Sequence, residues 1–175
     1  SLAIFEALAA RSPTNIEWQR DLSVCYERIG DVLLAQGNAH SALAAYNKDM
    51  AIMESLTARD PANTEWQRDL SVCQNKIGDA LFTQGDGLGA LDAYRKSLAI
   101  RDPLATLDPA NTEWQIDVAI SCGKLGSHPA LGIDACRDYL RRGQAILRSL
   151  KDADRLLPSQ DWTGWFAEAL AKLQK

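Results

Sequence analysis

The residues best suited to nucleophilic or metal chemistry in this 175-residue chain are four cysteines and two histidines. Cys25, Cys73, Cys122 and Cys136 form no C-x-x-C pair, and only His40 and His128 could join them as ligands, which is not the spacing of a zinc site. Cys25 and Cys73 occupy the same place in two successive copies of a repeat, which reads as small core hydrophobes. Cys122 and Cys136 are placed to face each other across the last helix pair, which leaves a disulfide open. His40 falls in an inter-helix turn and His128 beside Pro129, as surface loop residues do. No Ser or Cys lies in a nucleophile–His–acid pattern. Gly85-Asp86-Gly87-Leu88-Gly89 looks like a phosphate loop, but no strand precedes it. Its counterpart Gly37-Asn38-Ala39-His40-Ser41 marks it as an ordinary turn. Asp21, Asp69 and Asp117 recur once per repeat, which suits an inter-helix hydrogen bond better than a site. The expectation is a non-enzyme with no catalytic residue, no metal and no cofactor.

The elements that carry these residues come from a repeat. Asn63-Thr64-Glu65-Trp66-Gln67-Arg68-Asp69-Leu70-Ser71-Val72-Cys73 has near-copies starting at Asn15 and Asn111, with tryptophans at 18, 66 and 114, a period of 48 residues. Residues 13–60 and 61–108 are identical at 26 of 48 positions, so both encode one structural unit. The expected divisions are 1–12 (second helix of a truncated unit), 13–60, 61–108, a degenerate 109–153, and a closing helix in 154–175. Ser1-Leu2-Ala3-Ile4 matches Ser97-Leu98-Ala99-Ile100, which reads as a piece of a longer array.

Hydrophobic content of 46% and charged content of 24% are those of a folded chain rather than a disordered one. A net charge of −4 without a basic block argues against nucleic acid. No apolar run approaches the ~20 residues of a membrane span, and the N-terminus lacks a signal-peptide layout. A reduced, cytoplasmic setting is expected.

Each unit reads as two helices. Pro61-Ala62-Asn63 sets up the first, with Asn63 or Thr64 as N-cap, and Glu65 suits the positive end of the dipole. Trp18, Leu22, Cys25, Ile29 and Leu33 form an apolar stripe, repeated by Trp66, Leu70, Cys73, Ile77 and Leu81. The tryptophans are therefore expected to be core anchors. Gly37 and Gly85 end the first helices, and the second run on to proline stops. Pro103 aligns with Ser55 inside a second helix, so a kink or break is expected within two residues of Arg101. Pro129 stops the third first helix early, and a second follows over about Ile133 to Leu150. Pro158-Ser159-Gln160-Asp161-Trp162 then opens an amphipathic helix with Trp162, Phe166 and Leu170, ending in Lys172 and Lys175, that covers the last apolar face.

Ile29-Gly30-x-x-Leu33-x-x-x-Gly37-x-x-x-x-Ala42-x-x-x-Tyr46, and the same pattern from Ile77 to Tyr94, resembles the tetratricopeptide repeat. The resemblance implies an all-α, right-handed superhelical solenoid of antiparallel helix pairs, about eight helices with the cap. It also implies that the small glycine admits its neighbour, the alanine packs at the crossing and the aromatic fills the space beneath. The family's period is about 34 residues, and the extra ~14 correspond to about two more turns on each helix.

Opposite the stripe, at about 100° per residue, lie Arg20, Val24, Glu27, Asp31 and Leu34, then Arg68, Val72, Asn75, Asp79 and Phe82, then Ile116 and Ile120. In tetratricopeptide arrays this face lines the concave groove, and its apolar members suit contact rather than solvation. The resemblance thus implies a scaffold holding a peptide or helix, and the acids Glu27, Asp31 and Asp79 on this face predict an apolar segment with basic flanks rather than an acidic tail. Glu17 and Glu65, three residues before Arg20 and Arg68, are expected to neutralise them. Self-association, or a sensor role in a larger protein, is the other reading.

Overall fold

A computed structural model describes residues 2–173; Ser1 of the N-terminal match and Lys175 of the closing helix lie outside them. Among the described residues the fold is all-α with no strand. The helices are α1 (Leu2–Arg11), α2 (Ile16–Ala35), α3 (Ala39–Arg59), α4 (Thr64–Thr83), α5 (Gly87–Leu107), α6 (Thr112–Gly126), α7 (Ile133–Asp152) and α8 (Thr163–Lys172), with a 3₁₀ turn at Pro158–Gln160. Two compact units, Ser1–Ala93 and Tyr94–Lys175, divide within α5 rather than at a repeat boundary. Neighbouring helices pack in pairs within each unit. No described helix is long and apolar enough to cross a membrane.

The repeated start is an Asn cap. The Asn15, Asn63 and Asn111 side chains each accept the backbone N–H of the tryptophan three residues on, at 3.1 Å, which satisfies one orphan donor of the first turn. The cap is therefore Asn63 rather than Thr64. Gly37 and Gly85 close α2 and α4 at φ of 79° and 87°, where a Cβ would be strained.

In the first unit α2 meets α3 through small residues. A Cβ on Gly30 would overlap the Tyr46 ring, and Ala42 and Tyr46 are wholly buried. The stripe of α4 packs back on α3: Cys73, Ile77 and Ala80 share a core with Ala42, Tyr46 and Met50. Trp66 joins Met53 and Leu56. The first helices therefore bury two faces, not the single stripe the periodicity picks out. On α2, Ser23, Tyr26 and Gly30 are buried, while Trp18, Cys25, Ile29 and Leu33 stay half-exposed beside the short α1.

Several expectations are corrected, most of them in the second unit. Pro103 does not break α5, which runs unbroken from Gly87 to Leu107. The missing N–H costs one backbone bond, but the segment is held on both sides of the proline. Arg101, 3% exposed, donates to the Asp117 carbonyl at 2.8 Å and the Ser121 hydroxyl at 3.0 Å, and Leu104 and Ala105 are buried. Gly87 and Gly89 belong to α5 and are not turn residues, because Asp86 accepts the Gly89 N–H and starts the helix early. His40 lies exposed in the first turn of α3. His128 is no surface residue: it is 2% exposed, its Nδ1 accepts the Ala130 N–H at 3.2 Å, and its ring packs edge-on to Tyr94. Trp162 precedes α8 instead of lying within it. Asp161 starts α8 by accepting the Thr163 N–H and hydroxyl. With Lys151 at 2.6 Å, these bonds lower its carboxyl to about 2. All four cysteines are free, so Cys122 and Cys136 are not paired.

Candidate functional site

Three helices of the first unit converge on an open cavity of about 170 Å³. α2 contributes Arg20, Ser23, Val24 and Glu27, α3 contributes Asp49 and Met53, and α4 contributes Asp69 and Val72. The 48-residue copy explains the arrangement, since α2 and α4 present the same face in the same orientation. Four of the residues expected on the groove face (Arg20, Val24, Glu27 and Val72) thus come together.

Asp49 forms the floor and is 3% exposed. The Ser23 hydroxyl donates to it, and the Cys73 thiol lies against both this carboxylate and the Tyr46 carbonyl, with one proton for two acceptors. Burial pushes the Asp49 carboxyl up to about 6, against the opposing pull of the Ser23 and Cys73 bonds. The Asp69 carboxyl is also raised by burial, with Arg20 opposing. Burial raises the Cys73 thiol too, which makes it a poor nucleophile. No repeat pattern marks Asp49, because its counterpart one period on is Ser97.

Around the rim the charges pair between first helices. Arg20 meets Glu65 at 2.7 Å and Asp69 at 3.5 Å. Its expected intrahelical partner Glu17 is not the one it reaches, since α4 brings Glu65 closer. Lys76 of α4 binds Asp31 of α2 at 2.5 Å and Glu27 at 3.2 Å, and Asp31 also accepts the Tyr46 hydroxyl at 2.8 Å. Burial alone would lower the Lys76 ammonium; its bonds to Asp31 and Glu27 outweigh that and raise it. Tyr46 is raised chiefly by burial, then by its bond to Asp31.

The expected face is therefore partly a contact edge between first helices. Val24 is 45% and Phe82 48% exposed; Leu34, Val72, Arg68 and Asp79 are intermediate. Asn75, 6% exposed, is buried and not open lining. In the second unit Ile116 is buried in the core with Leu140, Leu147 and Phe166, and Ile120 packs against it. These two are core residues, because α8 closes on this edge: a Cβ on Gly123 would meet Trp165 and Phe166 at 3.3 and 3.4 Å.

A second cavity, about 460 Å³, lies between the α6–α7 connection, α7 and α8, with Leu131, Ile133, Leu140 and Trp165 in its walls. Among the described residues no group of three or more His, Cys, Asp or Glu side chains is arranged to hold a metal ion. Neither a scan of protein-family models nor a search of curated proteins yields a match to this chain.

Proposed function

We propose that the chain is a non-enzymatic protein-interaction scaffold built as a tetratricopeptide-like, right-handed superhelical solenoid. Its first-helix face binds an apolar peptide or helix with basic flanks. The observation that carries this reading is the mixture on one face of the first unit. Val24, nearly half exposed, and Val72 line an open cavity with the carboxylates of Glu27, Asp49 and Asp69, and Phe82, also nearly half exposed, lies further along α4. Isolated exposed hydrophobes need no explanation, but apolar side chains grouped beside an acidic depression fit a partner better than solvent. Val72 and Phe82 act as anchors, and Asp31 and Asp79 set the charge of the partner. An acidic tail is disfavoured, since its carboxylate would meet Asp49, which no cation pairs, beside Glu27 and Asp69.

A helical enzyme is the reading that the Ser23–Asp49 contact brings to mind. It lacks a donor set for a developing oxyanion: Ser23, Val24, Asp69 and Val72 lie inside helices whose backbone N–H groups are already bonded. Four free cysteines and a net charge of −4 suit a reducing, cytoplasmic setting and a protein rather than a nucleic-acid partner.

A peptide-library selection against the full chain tests the proposal. Enrichment of apolar segments flanked by lysine or arginine is expected, with loss of that enrichment in Phe82→Ala/Asp79→Lys at unchanged melting temperature. Enrichment of acidic C-termini, or the same profile from the double variant, overturns it.

A further inference from the structure

The cavity of the first unit holds a buried charge without a counter-cation. Asp49 is 3% exposed; the Ser23 hydroxyl donates to it and the Cys73 thiol lies beside it, and both groups are neutral. Arg20 is the one cation lining the cavity, and its guanidinium is taken by Glu65 at 2.7 Å and Asp69 at 3.5 Å. Glu27 from α2 and Asp69 from α4 both raise the Asp49 carboxyl, and the nearby Lys76 of α4 is held by Asp31 and Glu27. A buried carboxylate normally has a paired cation or is neutral. Here it sits at the bottom of an open depression with two more carboxylates on the walls and Val24, Met53 and Val72 between them.

We propose that this cavity is the socket for one basic side chain, lysine or arginine, of the partner segment, with its aliphatic stem against Val24, Met53 and Val72 and its charged end on Asp49. Charge complementarity selects the occupant: of the three acids lining the cavity Asp69 shares Arg20 and Glu27 shares Lys76, which leaves Asp49 without a cation. The apolar walls match the methylene stem of such a side chain, which buries its carbons and presents its charge at the tip. A planar guanidinium also bridges two carboxylates at once, so Asp49 together with Glu27 or Asp69 favours arginine over lysine. Because the counterpart of Asp49 one period on is Ser97, its acid is not repeated there, and the socket fixes the register of the bound segment. This inference rests on the reading of the first-helix face as a partner groove.

The test uses the whole chain and three short peptides, identical and apolar except for a central arginine, lysine or citrulline, the last being nearly isosteric with arginine but uncharged. Isothermal titration is expected to give at least ten-fold tighter binding for arginine than for citrulline, with lysine between. Asp49→Asn is expected to abolish the discrimination while the protein stays folded, since an amide replaces a carboxylate that burial already disfavours. Asp69→Asn, on the wall, should weaken it by a smaller factor. If arginine and citrulline peptides bind equally, or Asp49→Asn leaves the ratio unchanged, while Phe82→Ala still weakens both, the socket is wrong and the groove stands. If none of the peptides binds, both fall.

Discussion

Arg20 on α2 and Glu65 in the first turn of α4 lie 2.7 Å apart and 45 residues apart in sequence, three short of the repeat. The same separation recurs in Lys76 to Asp31, Gln84 to the Ala39 carbonyl and Arg59 to the Thr14 carbonyl. The Arg59 bond ties residues 13–60 together, and the other three set α4 against α2 and the start of α3 with an offset of three residues, about 4.5 Å of helix rise. Glu65 is both the dipole complement of its own helix and the clasp for the preceding one.

That clasp is a surface interaction. The Arg20 and Glu65 side chains are 39% and 66% exposed, so solvent screens them. A double-mutant cycle with Arg20→Ala and Glu65→Ala should give a coupling below about 1 kcal/mol that fades with added salt. A larger, salt-independent coupling would mean the pair is structural.

The Gly30–Tyr46 contact is a packing constraint of another order. A methyl group at position 30 has nowhere to go without displacing a buried ring. Gly30→Ala should destabilise by about 1–3 kcal/mol in urea denaturation. Gly164→Ala, in open space within α8, should instead gain roughly 0.5–1 kcal/mol from helix propensity.

Trp66 joins the α3 residues Met53 and Leu56 to α4 and is 7% exposed. Trp66→Ala should cost on the order of 3–5 kcal/mol. Because repeats couple mainly to their neighbours, the loss should broaden or split the unfolding transition. A single sharp transition shifted by under about 1 kcal/mol would remove Trp66 from the core.

Asp49 makes stability depend on pH with a sign opposite to an ordinary paired aspartate. Its carboxyl titrates at about 6 in the fold and near ~3.9 unfolded. Between these values the native state holds more protons than the unfolded chain, so stability falls as pH rises from about 4 to 6. Full ionisation costs on the order of 3 kcal/mol. Asp69, raised by the same cause, adds in the same direction. Asp49→Asn should flatten the melting-temperature profile over this range. A profile rising from pH 4 to 6 in the wild type would contradict the burial of an unpaired carboxylate.

Much of this was legible where one residue type has one physical use. An asparagine before a tryptophan-bearing helix caps it three times over, and the Gly30–Ala42–Tyr46 spacing places a glycine where only hydrogen fits. What was not legible depends on tertiary company. Pro103 should stop a helix by its own chemistry, yet Arg101, Leu104 and Ala105 are anchored on both sides of it. His128 reads as a loop residue until Tyr94 covers it. Ile116 and Ile120 fall on the groove face by periodicity, but α8 closes that edge in the second unit. Asp49 occurs once, so no repeat pointed to the cavity it floors.

The central claim is that the partner docks on the α2 and α4 face of the first unit. Methyl NMR of the full chain, titrated with an apolar, basic-flanked peptide from the library selection, measures this directly. Shift changes are expected at the Val24, Leu34 and Val72 methyls, with those of Leu131, Ile133 and Leu140 around the larger cavity of the second unit unmoved. Changes confined to that second cavity, with Val24 and Val72 silent, would contradict it.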